Sequence, residues 1–151
     1  MKVAIMQPYF FPYIGYFQLI AAVDLFIVYD NIKYTKKGWI NRNRMLQNGK
    51  DVMFSLPLRS GPDQLNVCDR ELADDFNGRK LLNRFKGTYR AAPYFAQVFP
   101  LIEQIVSYNE RNLFQFLYNS IIKICQYLGI TTRIKISSDI DIDHSLKSQE
   151  K

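Results

Sequence analysis

The sequence predicts an α/β fold: a partly parallel sheet starting with a βαβ unit, an inserted antiparallel hairpin and a helical second half. Three observations predict it. The stretch Met1–Asp30 reads as strand, loop, helix, strand, with apolar runs Val3–Met6 and Leu25–Tyr29 around helically spaced Tyr16, Leu19, Ile20 and Val23. Continuous apolar runs suit strands covered on both faces, and the span matches a βαβ crossover of roughly 30 residues. Asn48-Gly49 between two extended segments is a strong two-residue hairpin signal. Beyond residue 80, apolar side chains recur at helical spacing.

In order, Val3–Met6 is the first strand and Leu25–Tyr29 the second, ending at Asp30. The basic stretch 31–38 leads to a predicted strand over Trp39–Leu46, and Val52–Leu58 returns antiparallel. Pro57, Gly61 and Pro62 open a loop, and Asn66–Cys68 reads as one more short strand. Leu81, Leu82, Phe85 and Tyr89 mark a helix. A second runs from Phe95 to Val106, where Pro100 is expected to kink it or start a new one. Leu113, Leu117, Ile121, Ile124 and Leu128 define a third helix, with Gly129 placed as its C′ cap. Arg133–Ser137 is a further strand, and Ser145 reads as an N-cap six residues before the last residue. The expectation is one α/β domain over 1–151 that lacks a carboxyl-terminal portion.

With 151 residues the chain can bury one real core, and its 48% hydrophobic and 23% charged content is that of a soluble globular protein. Aromatics are high at 15%. The net charge of +6 favours an anionic partner: a phosphate, a nucleotide, nucleic acid or a membrane surface. Cys68 and Cys125 form no CxxC, and His144 is the single histidine. A zinc site or a His-activated nucleophile is therefore not expected, nor is any cofactor. Cys125 sits in a helical apolar pattern and reads as core, and cysteine usage fits a reducing cytoplasm. Val3–Val23 carries no charge, yet Gln7, Pro8, Pro12, Gly15 and Gln18 interrupt it, which argues against a spanning helix. Peripheral attachment through the loop aromatics stays open.

Two segments carry the candidate chemistry. Ligands of βαβ units bind beyond the carboxyl ends of the strands, where Gln7 and Asp30 fall. The loop Gln7–Gly15 is stiffened by Pro8 and Pro12, and Gly15 permits close backbone approach or unusual dihedrals at a helix start that would attract an anion. The competing reading of this loop is an aromatic plug closing the sheet. In Trp39–Arg44, period two puts Trp39, Asn41 and Asn43 on one face and Ile40, Arg42 and Arg44 on the other. The first set resembles a polar recognition strip and the second a phosphate or carboxylate clamp. The competing reading is a solvated hairpin, favoured for Lys33 and Lys37. Asparagine is depleted in strands, which favours function for the Asn41-Arg42-Asn43 set. No nucleic-acid-binding motif is present, and the other basic residues read as dispersed, so nucleic acid is not the expected partner. Asp139, Asp141 and Asp143 alternate, but without the Gly and Glu of an EF-hand they read as exposed linker.

Met6–Phe17, Tyr29-Asp30 and Lys36–Asn43, with Ala92–Phe95 and Tyr127–Ile130, closely resemble the WbqC-like protein family over essentially the whole chain. That resemblance implies a bacterial cytoplasmic role in O-antigen or surface-polysaccharide biosynthesis, and transfer of a small acyl or aminoacyl group to an amino sugar. It also implies a longer protein, continuing past the Leu146–Glu150 region. A weaker resemblance links Phe11–Ile20 to cytidylyltransferase-like nucleotidyltransferases. The histidines of that signature are missing here, so the resemblance implies nucleotide or sugar-nucleotide binding rather than standard nucleotidyl transfer.

The expected function is thus a transferase acting on a nucleotide sugar or an activated acyl or aminoacyl donor, with a small anionic or sugar substrate. The competing class is a non-catalytic nucleotide- or sugar-binding module of a biosynthetic complex. In the enzyme reading Asp30 is base or hydroxyl ligand. Lys36, Arg42 and Arg44 neutralise phosphates. Gln7, Asn41 and Asn43 orient the substrate, and Trp39 or a loop tyrosine stacks on a ring. One pocket is expected to be lined by Gln7, Phe11, Asp30, Lys36 and one face of Trp39–Asn43.

Overall fold

Leu25–Val28, with all four side chains buried, is the central strand of a three-stranded parallel sheet in the computed structural model, which describes residues 1–142. This strand, β2, pairs on one side with β1 (Val3–Met6) and on the other with β5 (Arg133–Ile136). The connection from β1 to β2 is α1 (Ile14–Ala21), whose Tyr16 ring packs at 5.4 Å on Phe26 of β2. The βαβ unit is as the sequence predicts, with one correction. Val3 (44%) and Ile5 (55%) of β1 are exposed, because helices pack against only the Ala4–Met6 side of this edge strand. Continuous hydrophobicity marks burial on both faces for β2 alone.

The hairpin is β3 (Arg42–Gln47) and β4 (Lys50–Ser55). Asn48 (φ +51°) and Gly49 (φ +74°) both take the left-handed conformation that a two-residue hairpin turn requires. Both strands are shorter than expected. Trp39, Ile40 and Asn41 lie in a bend before β3, and Pro57 follows the end of β4. Asn66–Cys68 is not a strand. Asn66 makes a single antiparallel bridge to Lys33, and Val67–Asp69 then form a 3-10 turn.

Three helices supply most of the remaining core: α2 (Gly78–Tyr89), α3 (Phe95–Val106) and α4 (Leu113–Tyr127). Gly78 allows α2 to start against α3, since a Cβ there would lie 2.7 Å from the Val106 carbonyl oxygen. Pro100 does not start a new helix. It lies within α3 on an exposed turn, where water can take the carbonyl that loses its donor. Gly129 (φ +68°) caps α4 as expected: its own N–H reaches the Gln126 carbonyl and that of Ile130 reaches Cys125, the two bonds of a Schellman motif. Cys125 is buried in the core.

After β5, Ser137–Asp139 form a 3-10 turn, so Asp139 is in a turn rather than a linker; Asp143 and Ser145 lie outside the described residues. No helix of the described residues is long and apolar enough to cross a membrane.

Candidate functional site

The carboxyl ends of β1 and β2 lie level, Met6 opposite Val28, so Gln7 and Asp30 leave the sheet at one rim. The loop Pro8–Tyr13 crosses that rim and is held from three sides. Tyr16 donates its hydroxyl proton to the Gln7 carbonyl at 3.0 Å, and burial raises that phenol well above its ordinary value, so it stays a donor. The Phe10 amide donates to the Ile40 carbonyl at 3.0 Å. Asn43 Nδ2 donates to the carbonyls of Phe10 (3.1 Å) and Phe11 (2.5 Å). Pro8 and Phe10 are buried, so part of the loop is core.

Phe11 has φ +47°, a conformation that costs a bulky residue of order 1–3 kcal/mol. Two ring contacts, to Phe10 (4.6 Å) and Phe85 (5.5 Å), and the Asn43 bond fix it there. Gly15 has no unusual dihedral. Its role is space: a Cβ would come within 2.2 Å of the Tyr13 ring, which lies over the first turn of α1. Tyr13 itself is 74% exposed.

A cavity of about 440 Å³ opens at this rim, lined by Met6, Tyr9, Pro12, Tyr13, Trp39 and Asn43. A second recess of about 370 Å³ shares Tyr13 and Asn43 and reaches Phe11, Arg44 and Tyr89. Of the pocket expected from sequence, Trp39 and Asn43 line the first and Phe11 the second. Tyr9, Pro12 and Tyr13 fall within the predicted loop, Pro12 as a stiffening residue and a tyrosine as a stacking one, but the sequence assigns none of them to the pocket lining.

The other candidates are engaged elsewhere. Asp30 is buried, and its carboxylate accepts three hydrogen bonds from Ser137 and Ser138. Oδ1 accepts from Ser137 Oγ (2.7 Å) and the Ser138 amide (3.0 Å), and Oδ2 from Ser138 Oγ (2.7 Å). The Asp30 amide donates to Ser137 Oγ at 3.2 Å. These bonds staple the end of β2 to the end of β5. Lys36 pairs with Asp63 at 2.6 Å on the surface. Asn41 is buried, accepting from the Tyr34 hydroxyl (2.9 Å) and donating to the Leu56 carbonyl (2.8 Å). Arg42 donates to the carbonyls of Gly38 and Lys37, closing the bend before β3. Arg44 pairs with Asp51 across the hairpin.

Asn41 therefore does not join Trp39 and Asn43, which both border the cavity. The chain bends at 38–41, so alternation holds only from Arg42 onward. Trp39 also joins the arginines. The guanidinium groups of Arg42 and Arg44 lie 5.6 and 5.9 Å from its ring centroid. They bring positive charge to one wall of the cavity without forming a two-pronged clamp.

The thiol of Cys68 is pushed up to about 11, first by burial and then by the charges of Asp69 and Asp30, so it is not poised as a nucleophile. Among the described residues, no group of three or more His, Cys, Asp or Glu side chains is placed to hold a metal. Arg70 is buried without an ion pair among the described residues; it stacks on Tyr34 at 4.9 Å and donates to the Pro62 carbonyl at 2.9 Å. An arginine followed by no local pattern gave no signal of this in the sequence.

The fold and rim define an α/β protein with an aromatic cavity at the carboxyl end of a parallel sheet. Residues 7–150 match the WbqC-like protein family, and the chain belongs to that family. It is 34% identical over 143 residues to the uncharacterized protein Rv1507c of Mycobacterium tuberculosis. The match covers 93% of this chain and 62% of that relative, so the chain spans less than two thirds of its length. No solved structure matches.

Proposed function

We propose that this chain is the ring-recognising part of a cytoplasmic protein of surface-polysaccharide biosynthesis, binding a nucleotide sugar or a comparable activated sugar. The observation that supports this best is the cavity at the sheet rim, walled by Tyr9, Tyr13 and Trp39, with the Asn43 amide at its edge. Aromatic walls with few polar groups suit a planar or sugar ring, and the nearby guanidinium groups favour an anionic one. The polysaccharide context comes from the family resemblance.

Between the two classes the geometry favours the binding module. A base at Asp30 would need a free carboxylate oxygen facing the ligand, and both oxygens are taken by Ser137 and Ser138. The transferase reading keeps one observation in its favour: the cavity lies where α/β enzymes hold substrates, beyond the carboxyl ends of parallel strands. In that reading the transferred group meets a reactive side chain supplied by some other part of the whole protein.

Calorimetric titration with a panel of nucleotide sugars tests the proposal. Trp39→Ala is expected to weaken binding about tenfold, in line with the roughly 1–3 kcal/mol that stacking contributes. Tyr94→Ala, exposed between α2 and α3, is expected to change nothing. Equal affinity in Trp39→Ala and the parent, or no binding of any nucleotide sugar, would remove the site.

A further inference from the structure

Nearly all of the chain's +6 charge is carried by one helix. Residues 78–90 contain Arg79, Lys80, Arg84, Lys86 and Arg90 and no acidic residue. The apolar side of α2 is used up: Leu81, Leu82 and Phe85 are buried, and Phe85 meets Phe54 of the hairpin at 5.1 Å. What remains outward is cationic.

The placement is locally unfavourable. Arg79 and Lys80 occupy the first turn of α2, the positive end of the helix dipole, where acidic residues are the stabilising choice. No acidic residue occupies that turn. Elsewhere four surface cations are matched with carboxylates: Lys36 with Asp63, Arg44 with Asp51, Arg59 with Glu71 and Asp74, Arg111 with Asp74. Arg79 and Lys80 have no ion pair among the described residues. Arg84 gives one N–H to the Met53 carbonyl at 3.2 Å.

These cations also line a recess. A depression of about 590 Å³ runs along α2 to the end of β3, bounded by Gln47, Asn77, Arg79, Lys80, Asn83 and Arg84. Three cations and three amides surround it, with no carboxylate among them. A neighbouring depression shares Asn77, Lys80 and Arg84 and has an acid, Asp75, in its lining. The side chain of Asn77 caps the helix by accepting from the Lys80 amide at 3.2 Å, which leaves the amides of Gly78 and Arg79 without a helical partner. Side-chain charge and the positive end of the helix dipole add at this end of α2.

We propose that this recess is a binding site for a phosphate-bearing ligand, its phosphoryl oxygens taken by the side chains of Arg79, Lys80 and Arg84. Unlike Arg44, which pairs with Asp51, the Arg79 and Lys80 side chains have no ion pair among the described residues, and Arg84 gives only one N–H to the protein. The recess is far larger than one phosphoryl group and its cations are spread along the helix, which suits a diphosphate or a row of headgroups better than a lone monoanion. A phosphate here comes from a free diphosphate compound or from an anionic lipid headgroup. The site is separate from the aromatic cavity and does not rest on its assignment.

The test uses the full chain with two probes: inorganic pyrophosphate by calorimetry at low salt, and flotation with phosphatidylglycerol against phosphatidylcholine vesicles. The double variant Arg79→Gln, Lys80→Gln is expected to weaken binding about tenfold or more. The double variant Lys86→Gln, Arg90→Gln removes the same charge from the same helix outside the recess, and is expected to keep affinity within about twofold. All four positions are exposed, and a melting curve for each variant checks that the fold is kept. Pyrophosphate binding lost in the first variant supports a free diphosphate ligand. Vesicle binding alone, lost in the same variant, supports a lipid headgroup. Binding to neither probe overturns the site, as does equal weakening by both variants, which would mean diffuse charge. Binding of duplex or single-stranded DNA with neither phosphate probe bound overturns it too.

Discussion

The Asn43 side chain holds the Phe11 carbonyl at 2.5 Å while Phe11 sits at φ +47°. A strand residue thus pins a loop residue 32 positions earlier in a conformation that a bulky side chain avoids. The bond ties the hairpin to the rim of the parallel sheet and sets the Tyr13 side of the cavity.

Replacing Asn43 by Ala removes both carbonyl bonds of its amide. A net value of about 1 kcal/mol per bond predicts a loss of about 2 kcal/mol. For a chain of this size that lowers Tm by roughly 4–8 °C in a calorimetric scan. Asn43→Asp is expected to fare no better, because a carboxylate cannot donate. A melting temperature unchanged in both variants would show that the loop holds its shape without the tie.

Gly15→Ala separates stability from recognition. The three atoms nearest the new Cβ all belong to the side chain of Tyr13, which is exposed. Alanine in a helix gains about 0.5–1 kcal/mol over glycine, so urea midpoints are expected to hold or rise slightly. Tyr13 must swing away, and it lines both rim recesses. Ligand affinity at the cavity is expected to fall at the same time. A variant that is as stable and binds as well as the parent would place the ligand elsewhere.

What the sequence makes legible here is local. Asn48-Gly49 specifies its turn from two residues, Gly129 its cap from one, and Leu25–Val28 its burial from composition alone. The rim loop was legible as well, because prolines, aromatics and a glycine cannot be read as strand or helix. Roles that depend on distant partners were not. Ser137 and Ser138 lie 107 and 108 residues from Asp30, and no spacing rule connects them. Asn41 read as recognition because asparagine is rare in strands, whereas it stands before the strand and bonds Tyr34 and Leu56 in the interior. The cationic helix was open to view in residues 78–90, but its charge gains meaning only once the apolar face is known to be buried.

Asp30 gives a direct test of structural against catalytic duty. Asp30→Asn replaces an acceptor oxygen by an N–H₂ facing hydroxyl or amide donors, leaving buried groups unmatched. The expected loss is about 1–3 kcal/mol in urea unfolding, with an unchanged slope. Ser138→Ala removes one bond and is expected to cost about 1 kcal/mol. An Asp30→Asn protein of parental stability with abolished activity would return Asp30 to the role of base.

Alkaline pH is expected to unfold this protein through groups that are neutral when buried. Burial pushes the thiols of Cys68 and Cys125 up to about 11 from 9.0, and it raises the Tyr16 phenol above 10.0. In the unfolded chain these groups ionise at their ordinary values. Their contribution to stability is therefore complete below about pH 9 and is lost as pH climbs toward the folded-state values. The urea midpoint should be flat from pH 7 to about 8.5 and fall steadily from about 9 to 11. Tyr16→Phe starts from lower stability, having lost the bond to the Gln7 carbonyl, yet should show a shallower alkaline decline. Iodoacetamide reports the same thing at Cys68, since only the thiolate reacts: modification at pH 8 should be slow in the folded protein and fast in urea. Equal rates in both states, together with a midpoint that stays level to pH 11, would mean that these thiols are not shielded.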